Sequence, residues 1–345
     1  MRGIGTAGGG VTPAVIPSIL VARLNDVTQE PRADVTRTLT GIVPPMITPM
    51  TGPDELDMPG LERLVERLLA GGVSGLFVLG TTGEGPGLGY RLRRELVERV
   101  CGLVRRRVPV LVGITDTAFV ESLGLARLAA DAGAEAVVAA PPYYLPGGQP
   151  ELREYLDHLV PKLPLPLFLY NMPALTKVSF ELDTVRYAMD KPRVVGLKDS
   201  SGDMAYFRGV VELLKHRPEW SVLVGPEELL LEALTAGGHG GVSGGANLFP
   251  DLYVNLFRAF RAGDRRRAQE LQDQVLRISG SLYRIGRHPS AVIKGIKCAL
   301  ACLGVCDDFM AEPFHRFRAA ERVLVERLLE KLESEMDGLH LDKSV

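Results

Sequence analysis

From about residue 40 onward, short apolar runs alternate with segments whose apolar residues recur every three or four positions. The runs 41–47, 75–79, 110–114, 136–139, 165–170, 194–198, 221–225 and 240–243 read as strands. Between them, 58–70, 88–106, 120–132, 151–163, 180–189, 204–215, 227–236 and 249–262 carry the period of amphipathic helices. Several strands are apolar throughout, as in Gly-Leu-Phe-Val-Leu at 75–79 and Pro-Leu-Phe-Leu-Tyr at 166–170. That pattern suits strands covered on both faces, as in a parallel sheet. Glycine follows several helices, at Gly71-Gly72, Gly133 and Gly237-Gly238, where a helix C-cap is expected.

Eight strand–helix units between residues 39 and 263 match a (β/α)8 TIM barrel in count and length. An open doubly wound sheet shares the alternation, but it usually opens with a Gly-rich phosphate loop after its first strand. Here that position reads Pro44-Pro45-Met46-Ile47-Thr48-Pro49. The expected fold class is therefore α/β, a TIM barrel with a C-terminal helical extension. Residues 264–337 form that extension, with helices expected at 265–285, 290–303 and 312–336, and 338–345 read as a charged tail. Residues 1–38 look foreign to the rest of the chain: Gly8-Gly9-Gly10 and scattered Pro, Thr and Asp punctuate them. A disordered extension, or an upstream start codon chosen in error, fits them better than a secretory signal.

Composition narrows the function classes. Hydrophobic residues make up 46% of the 345 residues, enough for a large core, and the formal net charge is −2. Nothing in that balance points to nucleic acid or an anionic membrane. No apolar run reaches the roughly 18 residues of a membrane span. The four cysteines suit a reduced, cytoplasmic protein. Three of them recur every fourth residue, at Cys298, Cys302 and Cys306. No His is interleaved, and they read as small core residues rather than metal ligands.

The candidate chemistry sits at strand ends. Val194-Val195-Gly196-Leu197 leads into Lys198 and then the polar turn Asp199-Ser200-Ser201-Gly202-Asp203. At the C-terminal mouth of a parallel barrel a partly desolvated Lys loses proton affinity, and its free amine can form a Schiff base with a ketone. The second strand ends in Gly80-Thr81-Thr82-Gly83-Glu84-Gly85, two hydroxyls and a run of backbone N–H groups suited to a carboxylate. An ordinary turn is the plain alternative. The fourth strand runs into Ala139-Ala140-Pro141-Pro142-Tyr143-Tyr144, and the fifth ends in Tyr170-Asn171-Met172-Pro173. A phenol at a barrel mouth can shuttle protons; a packing role is the plain alternative for all three tyrosines.

Gly80-Thr81-Thr82-Gly83-Glu84, Pro142-Tyr143-Tyr144, Tyr170-Asn171-Met172-Pro173 and Lys198-Asp199-Ser200-Ser201-Gly202-Asp203 stand in the order and spacing of one family. Over residues 40–310 the chain resembles the dihydrodipicolinate synthase / N-acetylneuraminate lyase family of class I aldolases. The resemblance implies that Lys198 captures pyruvate or another 2-oxo acid, and that Tyr170 moves the substrate proton. It implies that Thr81 and Thr82 grip the carboxylate, and that Tyr144 serves a neighbouring subunit's site in a homotetramer, a dimer of dimers. It makes Glu84 a structural carboxylate of its turn. It adds Ser200, Glu228 and Ser243 as further substrate-binding candidates, and it implies no cofactor and no metal.

Departures from the pattern bear on the substrate. Dihydrodipicolinate synthases resembling this chain usually carry an Arg two residues after the Pro of Tyr-Asn-X-Pro, where this chain has Leu175. Sialate lyases and 2-keto-3-deoxy sugar-acid aldolases often read Pro-Ala-Leu there, as Pro173-Ala174-Leu175 does. Glu228 matches a polyol-binding Glu of sialate lyases, but Gly244 stands where those lyases place a Ser, with Ser243 one residue earlier. Lys177 replaces a common Gly. The expected activity is a lyase acting on a pyruvate-derived hydroxylated 2-oxo acid of the sugar-acid type. Dihydrodipicolinate formation from pyruvate and aspartate semialdehyde, and sugar-acid dehydration, are the enzymatic alternatives. A barrel that senses 2-oxo acids without catalysis is the alternative from another class.

Overall fold

The computed structural model describes Gly3 and residues 38–335. The expectations for residues 1–37, and for the tail at 338–345, lie outside the described residues. The strands are β1 (Gly41–Ile42), β2 (Met50–Gly52), β3 (Glu55–Leu56), β4 (Leu76–Val78), β5 (Val110–Gly113), β6 (Ala136–Ala139), β7 (Leu167–Asn171), β8 (Val194–Asp199), β9 (Ser221–Val224) and β10 (Gly240–Gly241). The pair β2–β3 is a short antiparallel hairpin. The other eight form one parallel sheet in the order β1-β10-β9-β8-β7-β6-β5-β4. The chain just beyond β1 joins the two ends. Pro45 bridges Phe77 in parallel, the Phe77 N–H donates to the Pro44 carbonyl at 3.0 Å, and the Met46 N–H donates to the Phe77 carbonyl at 2.9 Å. The sheet thereby curls shut into the (β/α)8 barrel.

Alternation along the strands separates two apolar layers. Val137 and Ala139 of β6, and Leu167 and Leu169 of β7, face the surrounding helices. Ala136, Val138, Phe168 and Tyr170 fill the barrel interior with Val43, Phe77, Leu111 and Leu223. One irregularity resets this alternation where it matters. β8 carries an extra residue against β7, because Leu167 pairs with Val194 but Phe168 pairs with Gly196. The bulge at Val195 shifts the parity of the rest of β8, so Leu197 joins the outer layer and Lys198 points inward. Gly196 makes the crossing possible: a Cβ there would lie 2.4 Å from the Phe168 ring and 2.6 Å from the Ser221 carbonyl.

Behind the barrel stand the helices Arg265–Leu282, Ala291–Cys302 and Ala319–Glu335. The last begins seven residues later than the periodicity at 312–336 implies. Pro313 interrupts the backbone ladder, and residues 312–318 stay irregular. Lys297, fully buried on Ala291–Cys302, pins this extension to the barrel through Glu84 at 2.5 Å. Removing one partner of a buried pair like this costs about 3–5 kcal/mol, because the other charge is left uncompensated. Cys298 and Cys306 are buried and Cys302 half-buried. Among the described residues no three His, Cys, Asp or Glu side chains gather to hold a metal ion. No described helix is long and apolar enough to cross a membrane.

Candidate active site

The turn after β4 is built by its glycines and by Glu84. A Cβ on Gly85 would lie 2.2 Å from the Leu79 carbonyl oxygen, so only glycine lets the chain fold back this tightly. Glu84 sits at φ +55 and turns its carboxylate away from the mouth, where it accepts from Lys297 Nζ at 2.5 Å and from the Ala311 N–H at 2.8 Å. This is the structural role its position implied. The same turn presents Thr81, whose Oγ1 lies 3.1 Å from the Tyr170 hydroxyl.

Tyr170 is buried on the inner face of β7, edge-on to Phe77 with centroids 6.3 Å apart. Lys198 is its register partner on β8. The ammonium lies 4.2 Å from the Tyr170 ring centroid and 5.0 Å from that of Phe77. Only 6% of Lys198 is exposed. Burial pushes its ammonium below the ordinary lysine value, and the neighbouring Tyr170 phenol pulls it only partly back. The shift is toward the free amine, the form that attacks a ketone.

One register step further, Asn171 Nδ2 donates to Asp199 Oδ1 at 2.9 Å. Asp199 also accepts from the Ser201 N–H at 3.1 Å and the Ser201 hydroxyl at 2.9 Å. This network closes both strand ends directly above the Lys–Tyr pair and holds the polar turn at 200–203. Burial raises the Asp199 carboxyl above its ordinary value, partly offset by these donors.

A cavity of about 250 Å³ opens onto Thr81 and Tyr170, walled by Phe77, Leu79, Thr115, Tyr143, Met172 and Leu175 among others. No described residue lining it is charged. Thr115 Oγ1 already accepts the Ala140 N–H at 2.9 Å, which leaves its proton for a ligand.

Of the residues singled out in the sequence, Lys198, Tyr170 and Thr81 come together. Thr81, Tyr170 and Leu175 line the cavity, whereas Lys198, Thr82, Tyr144, Ser200, Glu228 and Ser243 are not part of its wall. Thr82 is half-buried in the turn beside Thr81. Tyr144 is 96% exposed, at φ +76, while Tyr143 takes the wall position. Ser200 is half-buried, its N–H donating to the Asn171 carbonyl at 2.8 Å. Glu228 is exposed. Ser243 is buried, and its hydroxyl finds no hydrogen-bond partner among the described residues. The acid with an unusual environment is the neighbour of Glu228. Glu227 is buried and accepts from Tyr253 at 2.6 Å, Tyr283 at 2.8 Å and the Gly245 N–H at 2.7 Å. Burial raises it to about 7 despite those donors.

The wall residues Tyr143 and Thr115 escaped the sequence reading. Tyr143 had a signal, its place in the Pro-Tyr-Tyr motif. Thr115 had only its position just past β5, a rim location shared by many residues.

The family model described as the dihydrodipicolinate synthetase family matches residues 38–332. The chain belongs to this family. Its relatives include a putative 2-dehydro-3-deoxy-D-gluconate aldolase, YagE of Escherichia coli K12, 35% identical over 74% of this chain and 85% of YagE. A 4-hydroxy-tetrahydrodipicolinate synthase of Methanopyrus kandleri is 32% identical over 85% of this chain and 96% of its own length. Among solved structures, the dihydrodipicolinate synthase of Bacteroides thetaiotaomicron superposes with a TM-score of 0.83 at 52% identity, covering 85% of this chain and 99% of that one. The structure of YagE in complex with pyruvate superposes at 0.80 with 31% identity, covering 85% and 98%. Members of the family are class I aldolases, and this chain is an enzyme of that type: a Schiff-base-forming carbon–carbon lyase.

Proposed function

We propose that the chain reversibly cleaves a neutral-tailed hydroxylated 2-oxo acid, of the 2-keto-3-deoxy sugar-acid type, into pyruvate and an aldehyde. Lys198 adds its free amine to the C2 ketone and expels water, leaving a protonated imine. Tyr170 takes the C4 hydroxyl proton while the C3–C4 bond breaks. The electron pair moves into the imine, the aldehyde departs, and a neutral enamine remains. Protonation at C3 and hydrolysis release pyruvate and restore the amine. Thr81 and Thr82 hold the carboxylate and so orient the bond that breaks. Tyr144 completes the site of a neighbouring subunit in a dimer of dimers; its 96% exposure in the single chain supports this role.

One observation carries the choice of substrate: the cavity wall holds Leu175 and no charged side chain. Aspartate semialdehyde brings a second carboxylate, which such a wall cannot pair. A polyol tail needs only neutral donors and acceptors, which Thr115, Tyr143 and Thr176 can supply. The name of YagE supports the same reading. The 52% identity to the Bacteroides dihydrodipicolinate synthase favours the second reading, condensation of pyruvate with aspartate semialdehyde. The deciding experiment assays the purified protein side by side for pyruvate release from 2-keto-3-deoxy-gluconate and for condensation of pyruvate with aspartate semialdehyde. The proposal expects the first to dominate. Efficient condensation with no sugar-acid cleavage rejects it.

A further inference from the structure

The loop between the helices Arg265–Leu282 and Ala291–Cys302, and the segment before Ala319–Glu335, enclose a second cleft of about 380 Å³. It shares no lining residue with the cavity at the barrel mouth. Its walls are strongly basic. Arg287, His288, Lys294, His315 and Arg318 line it, against a single acid, Glu321. Arg316 lines it too, but Asp307 at 3.0 Å and Asp308 at 2.8 Å already pair its guanidinium.

The guanidinium groups of Arg287 and Arg318 differ from that of Arg316 in having no hydrogen bond or ion pair with any described residue. The Lys294 ammonium has, among the described residues, only a contact with the Phe314 ring, at 6.0 Å. Cations that line one cleft repel each other, and Glu321 is the one acid in the lining to offset Arg287, Lys294 and Arg318. Some arginines elsewhere are matched locally, as Arg107 is by Glu66 and Arg208 by Glu232. The helix Ala291–Cys302 also begins at this wall and adds its positive end to a field the side chains already set.

We infer that this cleft binds a phosphorylated small molecule, its phosphate held by Arg287, Arg318 and Lys294. The planar guanidinium fork matches phosphate oxygens two at a time, and the ammonium adds a point charge. The volume lies within the range of about 300–1,000 Å³ typical of small-molecule sites, so there is room for an organic body besides the phosphate. Phe317, buried, supplies an apolar wall for it.

Calorimetric titration of the full chain with inorganic pyrophosphate tests the assignment. The expected result is saturable binding, one anion per chain, weakening as salt rises. In the double variant Arg287→Ala/Arg318→Ala the affinity should fall by about tenfold or more, the scale of losing charge-assisted hydrogen bonds. Borohydride trapping of pyruvate should stay intact in that variant, showing that the barrel is folded. Absence of saturable binding, or binding indifferent to the double substitution, would overturn the proposal. So would citrate binding as tightly as pyrophosphate, because the site would then read charge rather than phosphate.

Discussion

Lys198 and Tyr170 are register partners on neighbouring parallel strands, and the ammonium rests 4.2 Å from the phenol's ring centroid. The pairing requires the bulge at Val195, without which Lys198 would fall on the outer face of the barrel. It also divides the labour of the site. In the proposed reaction the amine captures the substrate, and the phenol, 3.1 Å from Thr81 Oγ1, moves the proton.

Tyr170→Phe separates these two tasks. The ring survives, so the wall under Lys198 is kept, but the proton carrier is lost. Pyruvate should still be captured as an imine, while turnover falls by about 10²–10⁴, the usual scale for a positioned acid–base group. Trapping with borohydride alongside steady-state kinetics makes the comparison; equal loss of both would count against a proton-transfer role.

Tyr144 makes a prediction about assembly. If its phenol serves the neighbouring subunit, Tyr144→Phe should lower kcat by about tenfold or more and leave capture of the 2-oxo acid nearly unchanged. Mixed with Lys198→Ala subunits, it should recover part of the activity, since a hybrid interface rebuilds one complete site. A fully active monomer at low concentration, or verified hybrids without recovery, would refute a shared site.

Glu227 gives the fold a pH dependence of defined sign. Its carboxyl is raised from 4.5 to about 7 by burial, so between those values the folded state holds a proton that the unfolded chain has released. Stability from this group is full below pH 4.5, falls as pH rises through that window, and is lowest above 7. The size is on the order of 3 kcal/mol. Glu227→Gln, its amide oxygen turned to the Gly245 N–H, should flatten the fall in melting temperature across this range. An unchanged profile in the variant would show that another group carries it.

The barrel was legible because its strands are short apolar runs and its helices amphipathic; the run at 136–139 coincides with β6 residue for residue. Strand ends were less so. Asn171 and Asp199 are polar, so hydropathy stops before them, yet both pair in register and extend β7 and β8. The short helix Pro173–Thr176 also escaped, since four residues carry no period. Lys198, Tyr170 and Thr81 could be read because each lies in a motif at a strand end. The bulge at Val195 could not, because parity at that position depends on pairing with β7. Long-range partners were equally hidden: Glu84 and Lys297 are 213 positions apart, and Glu227 looks like Glu228 until the fold buries one and exposes the other.

The central claim is that Lys198 forms the Schiff base. Incubating the protein with pyruvate, reducing with borohydride and mapping the adduct by peptide mass spectrometry tests it directly. The account predicts one pyruvate-derived mass per chain, located on Lys198 and absent from Lys198→Ala. An adduct on a different lysine, or no adduct on the active enzyme, would contradict it.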